Sequence, residues 1–191
     1  MSYIPTVDQA RELLKKYNKD AFHLKHGEIV SGVMGYFAAE YDPERVDFWR
    51  TVGMLHDIDF ELYPERHCVA CQEMMAEEGI DPSVIRSCAS HGYGIEGITS
   101  DIVPEHFMEK ILFATDELTG LIGAVTLMRP SKSVVDLELK SVKKKYKTPA
   151  FAAGCSREVI GKGAEMLGWT LDELIERTIQ AMKSLLGTME I

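Results

Sequence analysis

No apolar run in this chain approaches the roughly 20 residues that a bilayer-spanning helix needs, and Met1 to Lys16 holds no apolar core flanked by a cleavage site. The expectation is a cytoplasmic protein with no membrane partner. Positive charge is also short: 21 basic against 30 acidic residues leave a formal net charge of −9. That balance opposes non-specific binding to nucleic acid or anionic lipid, both of which reward clustered cations, and a small molecule is the expected partner. Four cysteines (Cys68, Cys71, Cys88, Cys155) are too few and too irregularly placed for a disulfide framework, as in a reducing compartment. There is no Gly/Ser/Pro linker, low-complexity tract or internal repeat, so the 191 residues read as a single domain. A chain of this length buries about two thirds of its unfolded surface and needs no covalent staple.

Alternation typical of buried strands is missing too, whereas apolar positions recur at three and four, as in Val46, Trp49, Val52 and Gly53 or Ile111, Phe113, Leu118 and Ile122. The fold class expected is all-α. Asp42-Pro43 and Asp81-Pro82 each set an N-cap acceptor before a proline whose missing N–H costs nothing in a first turn. Thr170 and Glu173 have capping-box spacing, Thr6 and Ser156 are further caps, and Gly79 and Gly92 are stops. These signals predict helices at about 7–17, 21–41, 43–57, 64–78, 82–91, 104–127, 134–147, 157–167 and 171–186.

Against this background the pair His56-Asp57, at the end of the apolar run Trp49-Arg50-Thr51-Val52-Gly53-Met54-Leu55, stands out. His26 precedes it; His67, His91 and Asp116 follow, with the candidates spread over successive predicted helices. Neutral imidazole and carboxylate suit iron, manganese, zinc, cobalt or nickel, and helical proteins build such sites where several helices converge. Adjacent residues diverge by about 100° on a regular helix, but both can face one cavity at a helix end, and Ile58-Asp59-Phe60 reads as an exit. A carboxylate there can bridge two cations.

The order His26, His56-Asp57, Asp116 resembles the H…HD…D signature of the HD superfamily of metal-dependent phosphohydrolases. Arg66-His67-Cys68-Val69-Ala70-Cys71, with Met74-Met75 and Gly79 behind it, resembles the helix after the HD pair in HDIG-type members. Val84 to Gly92 resembles the segment closing on their fourth histidine. The likeness covers about residues 22–120 and implies an HD-type helical bundle, with residues from about 128 to 191 as a C-terminal helical extension. It implies two divalent transition metals, iron or manganese first and zinc, cobalt or nickel as alternatives. His26, His56, Asp57 and Asp116 would hold one, and Asp57, His67 and His91 the other. Where many members have Gly-Lys after His-Asp-Ile, this chain has Asp59-Phe60, so the lysine offered to a phosphate is missing.

Two metals about 3.5–4 Å apart lower the pKa of a water between them, aim it at phosphorus and neutralise charge on the phosphoryl oxygens. A phosphate ester of a small molecule or nucleotide is therefore the expected substrate, with Asp57 at the centre of the catalytic machinery. Arg66, beside His67, is the candidate phosphate contact, with a surface salt bridge as its alternative reading. Arg129, Lys132 and the run Lys143-Lys144-Lys145 with Lys147 are weaker ones, the run reading as a solvated face. The same ligand pattern is similar to that of HD-type di-iron oxygenases, and a non-catalytic metal-stabilised module is a third reading.

Other features carry less. Cys68 and Cys71, three apart on the predicted helix, read as core packing because no second CxxC or histidine pair completes a zinc site. His23 reads as an outer residue and His106 as exposed. The glycines of 92–97 read as a helix stop and a mobile segment whose Tyr93 lines a substrate entrance. Residues 128–156 could cap the cavity. The apolar stripe Leu171, Leu174, Ile175, Ile179, Met182 and Leu185 is either core or a homodimer surface.

Overall fold

The computed structural model describes residues 2–95, 97–98 and 100–189, and its fold is all-α. No strand is present among the described residues, and no helix is long and apolar enough to cross a membrane. The chain divides into two compact units, Met1–Leu112 and Phe113–Ile191, with the boundary inside the helix Phe107–Leu127.

In the first unit, α1 (Val7–Tyr17) opens on a Thr6–Gln9 capping box and α2 (Ala21–Tyr41) on Asp20, whose carboxylate accepts from the Phe22 N–H. Next come α3 (Val46–Leu55), α4 (Ala70–Glu77) and α5 (Pro82–Ala89), the last capped by Asp81 as its Asp-Pro signal predicts. α2 packs along α3, burying Val30, Val33, Met34 and Phe37 with Val52, Met54 and Leu55. Gly53 permits the close crossing: a Cβ there would lie 2.9 Å from the Ser31 Cα and from the Met34 Cγ. The N-terminal segment is tied to the end of α4 by a backbone pairing of Tyr3 with Gly79 and Asp81.

Three expected helices prove to be divided. The 43–57 span is a single 3₁₀ turn, Pro43–Arg45, followed by α3, which stops at Leu55 with His56 as its C-cap. Asp42 does not cap it; its carboxylate instead accepts from the Trp49 indole N–H at 2.9 Å. The 64–78 span is a 3₁₀ turn, Pro64–Arg66, then three non-helical residues, then α4. In that gap His67 is extended and Cys68 has φ +64°. Residues 134–147 likewise divide into a turn at Val134–Asp136 and a shorter helix. A 3₁₀ turn, Ser90–Gly92, continues α5.

The helix α6 (Phe107–Leu127) carries the chain into the second unit, which also holds α7 (Leu139–Tyr146), α8 (Arg157–Leu167) and α9 (Leu171–Ser184). Ser156 and Thr170 cap α8 and α9 as the sequence predicts, and Gly168 closes α8 in the left-handed conformation. α9 packs with α7 and α8. Leu174, Ile175, Ile179 and Met182 are buried, which makes most of the α9 stripe core.

Candidate metal centre

All the histidines of the candidate constellation belong to the first unit. α2 presents His26; the end of α3 presents His56 and then Asp57; the 3₁₀ turn after α5 presents His91. His67 is supplied by the irregular stretch before α4 and not by a helix, which corrects the expectation of a ligand within helix 64–78. His56, His67 and His91 are buried; the side chains of His26 and Asp57 are 14% and 16% exposed.

The hydrogen bonds at the far side of three rings decide what the near side offers. His56 Nδ1 donates to the Gly53 carbonyl at 2.8 Å and His91 Nδ1 to the Cys88 carbonyl at 2.5 Å. His67 Nδ1 donates to Asp59 Oδ1 at 2.8 Å, while Asp59 Oδ2 accepts the Cys71 backbone N–H at 2.8 Å. Carbonyl and carboxylate oxygens only accept, so each Nδ1 carries the hydrogen and the neutral ring presents a lone pair on Nε2.

Those Nε2 atoms converge on Asp57. Its Oδ1 lies 3.4 Å from His56 Nε2, 3.3 Å from His67 Nε2 and 3.4 Å from His91 Nε2, and its Oδ2 lies 3.6 Å from His26 Nε2. The Nε2 atoms of His26 and His56 are 3.3 Å apart, those of His67 and His91 3.0 Å. Ligands about 2.0–2.2 Å from one metal ion stand about 3.0–3.5 Å from each other, a range that every pair here meets except His26 with Asp57, which is 0.1 Å beyond it. His26, His56 and Asp57 each offer an atom within 4.8 Å of the others, and so do His67, Cys68 and His91. Both groups could hold a metal ion. The donor chemistry agrees, since two Nε2 lone pairs 3.0 Å apart repel unless a cation or a proton lies between them.

The surroundings of His67 ask for that positive charge. Burial disfavours its imidazolium, yet the Asp59 hydrogen bond, the Cys68 contact and the Asp57 charge outweigh burial and raise its pKa to about 10. Burial pushes the Cys71 and Cys88 thiols up. At Cys68 burial is opposed, and overcome, by His91 and His67, which leave its thiol below the ordinary value.

Phe22 and Phe60 flank the ligands: Phe22 stacks on His26 with planes 3° apart, and Phe60 sets its ring against His67 and His23. His23 bonds Glu61 at 2.9 Å. Arg66 pairs with Glu73 at 3.0 Å, both exposed, and Glu28 pairs with Arg11. His106 is exposed. Asp116 is carried by α6 in the second unit, where Arg129 pairs with Asp136 and Lys143 with Asp172. In the 92–103 loop, Glu96 and Thr99 lie outside the described residues, while Ser100 Oγ donates to the Ala89 carbonyl at 2.9 Å.

Two residues of the site escaped the sequence reading. Asp59 stood out only as a departure from Gly-Lys, yet it is fully buried and orients His67; its signal is a carboxylate between Ile58 and Phe60. Cys68, read as core packing on a helix, is buried but not helical, and its Sγ lies 3.4 Å from His91 Nε2. Comparison with family models, curated proteins and solved structures returns no match.

Proposed function

We propose that this protein is a metal-dependent phosphohydrolase of HD type, cleaving a phosphate ester of a small molecule or nucleotide. The observation that carries the proposal is the convergence of four imidazoles on the two oxygens of Asp57, His67 and His91 with His56 towards Oδ1 and His26 towards Oδ2. Two divalent cations, iron or manganese first, would supply an activated water and the positive charge that phosphoryl transfer requires. The protein's own groups do the rest: the carbonyls of Gly53 and Cys88 and the Asp59 carboxylate fix the rings, and Asp57 is the shared ligand. Asp116 is proposed as a further ligand from the order of motifs in the sequence. Arg66 is proposed as the phosphate contact, a role it fills by leaving Glu73.

The test is metal content per chain together with hydrolysis of a panel of phosphate monoesters and diesters in anaerobic buffer. Turnover without oxygen and with manganese supports the proposal; turnover that requires oxygen replaces it with the oxygenase reading, and an intact panel with full metal content replaces it with a non-catalytic module. Asp57→Ala is expected to lose both metals and all activity. Arg66→Ala is expected to raise KM at least several-fold while leaving metal content unchanged, and an unaltered KM removes Arg66 from the site.

A further inference from the structure

Cys68 occupies a position that the backbone and its neighbours treat as an exception. It follows His67 directly, with φ +64°, one of three non-glycine residues with positive φ among the described residues. L-residues with a Cβ avoid that region, where glycine or asparagine is the ordinary choice. Its side chain is fully buried beside the turn that carries His91, with Sγ 3.4 Å from His91 Nε2. The residue after His91 is Gly92, and a Cβ there would fall 2.6 Å from the Cys68 Sγ and 2.7 Å from its Cβ. Any side chain at position 92 would displace the thiol, so both segments are shaped to bring it to the histidines.

Resting on the metal-centre reading above, we propose that Cys68 is a thiolate ligand at the position held by His67 and His91, which makes that position a nitrogen–sulfur site selective for zinc, cobalt or iron over manganese and magnesium. His67, Cys68 and His91 each offer a donor atom within 4.8 Å of the others, and Asp57 Oδ1 lies beside the two nitrogens. The Nε2 atoms of His67 and His91 stand 3.0 Å apart, Asp57 Oδ1 lies 3.3 Å and 3.4 Å from them, and Sγ lies 3.4 Å from His91 Nε2 and 3.8 Å from its Nδ1. Donors about 2.0–2.1 Å (nitrogen, oxygen) and about 2.3 Å (sulfur) from a common tetrahedral ion are separated by about 3.3–3.6 Å; Sγ, now beside the His91 ring, meets that ion by a turn about its Cα–Cβ bond from the flank of the ring to the Nε2 side. Sulfur favours the softer metals, whereas carboxylate and imidazole alone accept manganese. The neighbouring position, with His26, His56 and Asp57, offers nitrogen and oxygen only. The two halves of the centre are therefore chemically unequal.

The experiment uses the full chain, stripped of metal and titrated with Co(II) alone. Wild type is expected to develop a near-ultraviolet thiolate-to-cobalt charge-transfer band that is lost in Cys68→Ser and in Cys68→Gly, the latter compatible with a positive φ, and kept in Cys71→Ser and Cys88→Ser. Cobalt bound without that band, or a band that survives both changes at Cys68, overturns the thiolate ligand while leaving a nitrogen–oxygen metal centre standing. Failure of wild type to bind cobalt at all overturns the metal-centre reading itself. X-ray absorption of the zinc-loaded wild type keeps the question open to decision should both Cys68 variants fail to fold: a sulfur shell at about 2.3 Å supports the ligand, and a shell of nitrogen and oxygen alone overturns it.

Discussion

Asp59 shows how one buried carboxylate can serve two ends of a site. It accepts from the His67 ring with one oxygen and from the Cys71 backbone N–H with the other, and none of it is exposed. Asp59→Asn preserves the shape but removes the charge, and it turns one acceptor into a donor aimed at either the Cys71 N–H or the His67 Nδ1–H. A buried clash of donors costs about 1–3 kcal/mol, and loss of an orienting partner lowers metal affinity about 10- to 100-fold. Urea unfolding of the metal-free variant reads the first effect and metal titration the second; unchanged affinity would reduce Asp59 to a structural residue. The adjacent pair His56-Asp57 was legible in the sequence because side-by-side ligands make sense at a helix end, where the structure places them. Asp59 was not, because its partner His67 is set by tertiary contact, not by spacing. Cys68 was hidden for a different reason: a positive φ at a residue other than glycine leaves no mark on periodicity, and a helix drawn through residue 68 turned the thiol into core.

At the scale of elements, the approach of α2 to α3 sets the distance between His26 and His56. Gly53, three residues before His56, faces the Ser31 backbone and the Met34 side chain. Gly53→Ala would place a methyl 2.9 Å from the Ser31 Cα, a contact with main chain that no rotamer change relieves. The helices must separate, at an expected cost of about 1–3 kcal/mol for overpacking, and the 3.3 Å spacing of the two Nε2 atoms must grow with them. The variant should melt earlier and bind metal more weakly at the His26–His56 position. Normal binding with the expected instability would show that the ring positions are governed by the His56 bond to Gly53 rather than by helix spacing. Most helix boundaries were readable, since Thr6, Asp81, Ser156 and Thr170 cap as their side chains allow. The interruptions were not, because the apolar spacing runs through Pro64–Arg66 and α4 as though they were one helix. The break comes from the His67–Asp59 and Cys68–Gly92 contacts, which lie outside any local window.

For the whole molecule, the decisive fact is that His26, His56, Asp57, His67 and His91 all fall within the first unit, Met1–Leu112. A cation bound by the folded form alone stabilises it by about 2.7 kcal/mol at a hundredfold excess over its dissociation constant, and the ligands receive that stabilisation where they are anchored. Hydrogen exchange of the metal-free and zinc-loaded chain should therefore show new protection concentrated in α2, α3 and the 64–92 stretch, with α7 to α9 little changed. Chelation should reverse it, and Asp57→Ala should show none. Asp116, assigned from sequence order, gives the same measurement a second reading: as a ligand it extends protection along α6 past residue 112, and Asp116→Ala removes that extension while sparing α2 and α3. Protection that stops before residue 113 in the wild type would confine the centre to residues of the first unit. A uniform rise across both units would mean that the cation stabilises the whole fold cooperatively, and its loss in Asp57→Ala would then be the evidence that the cation is seated on Asp57.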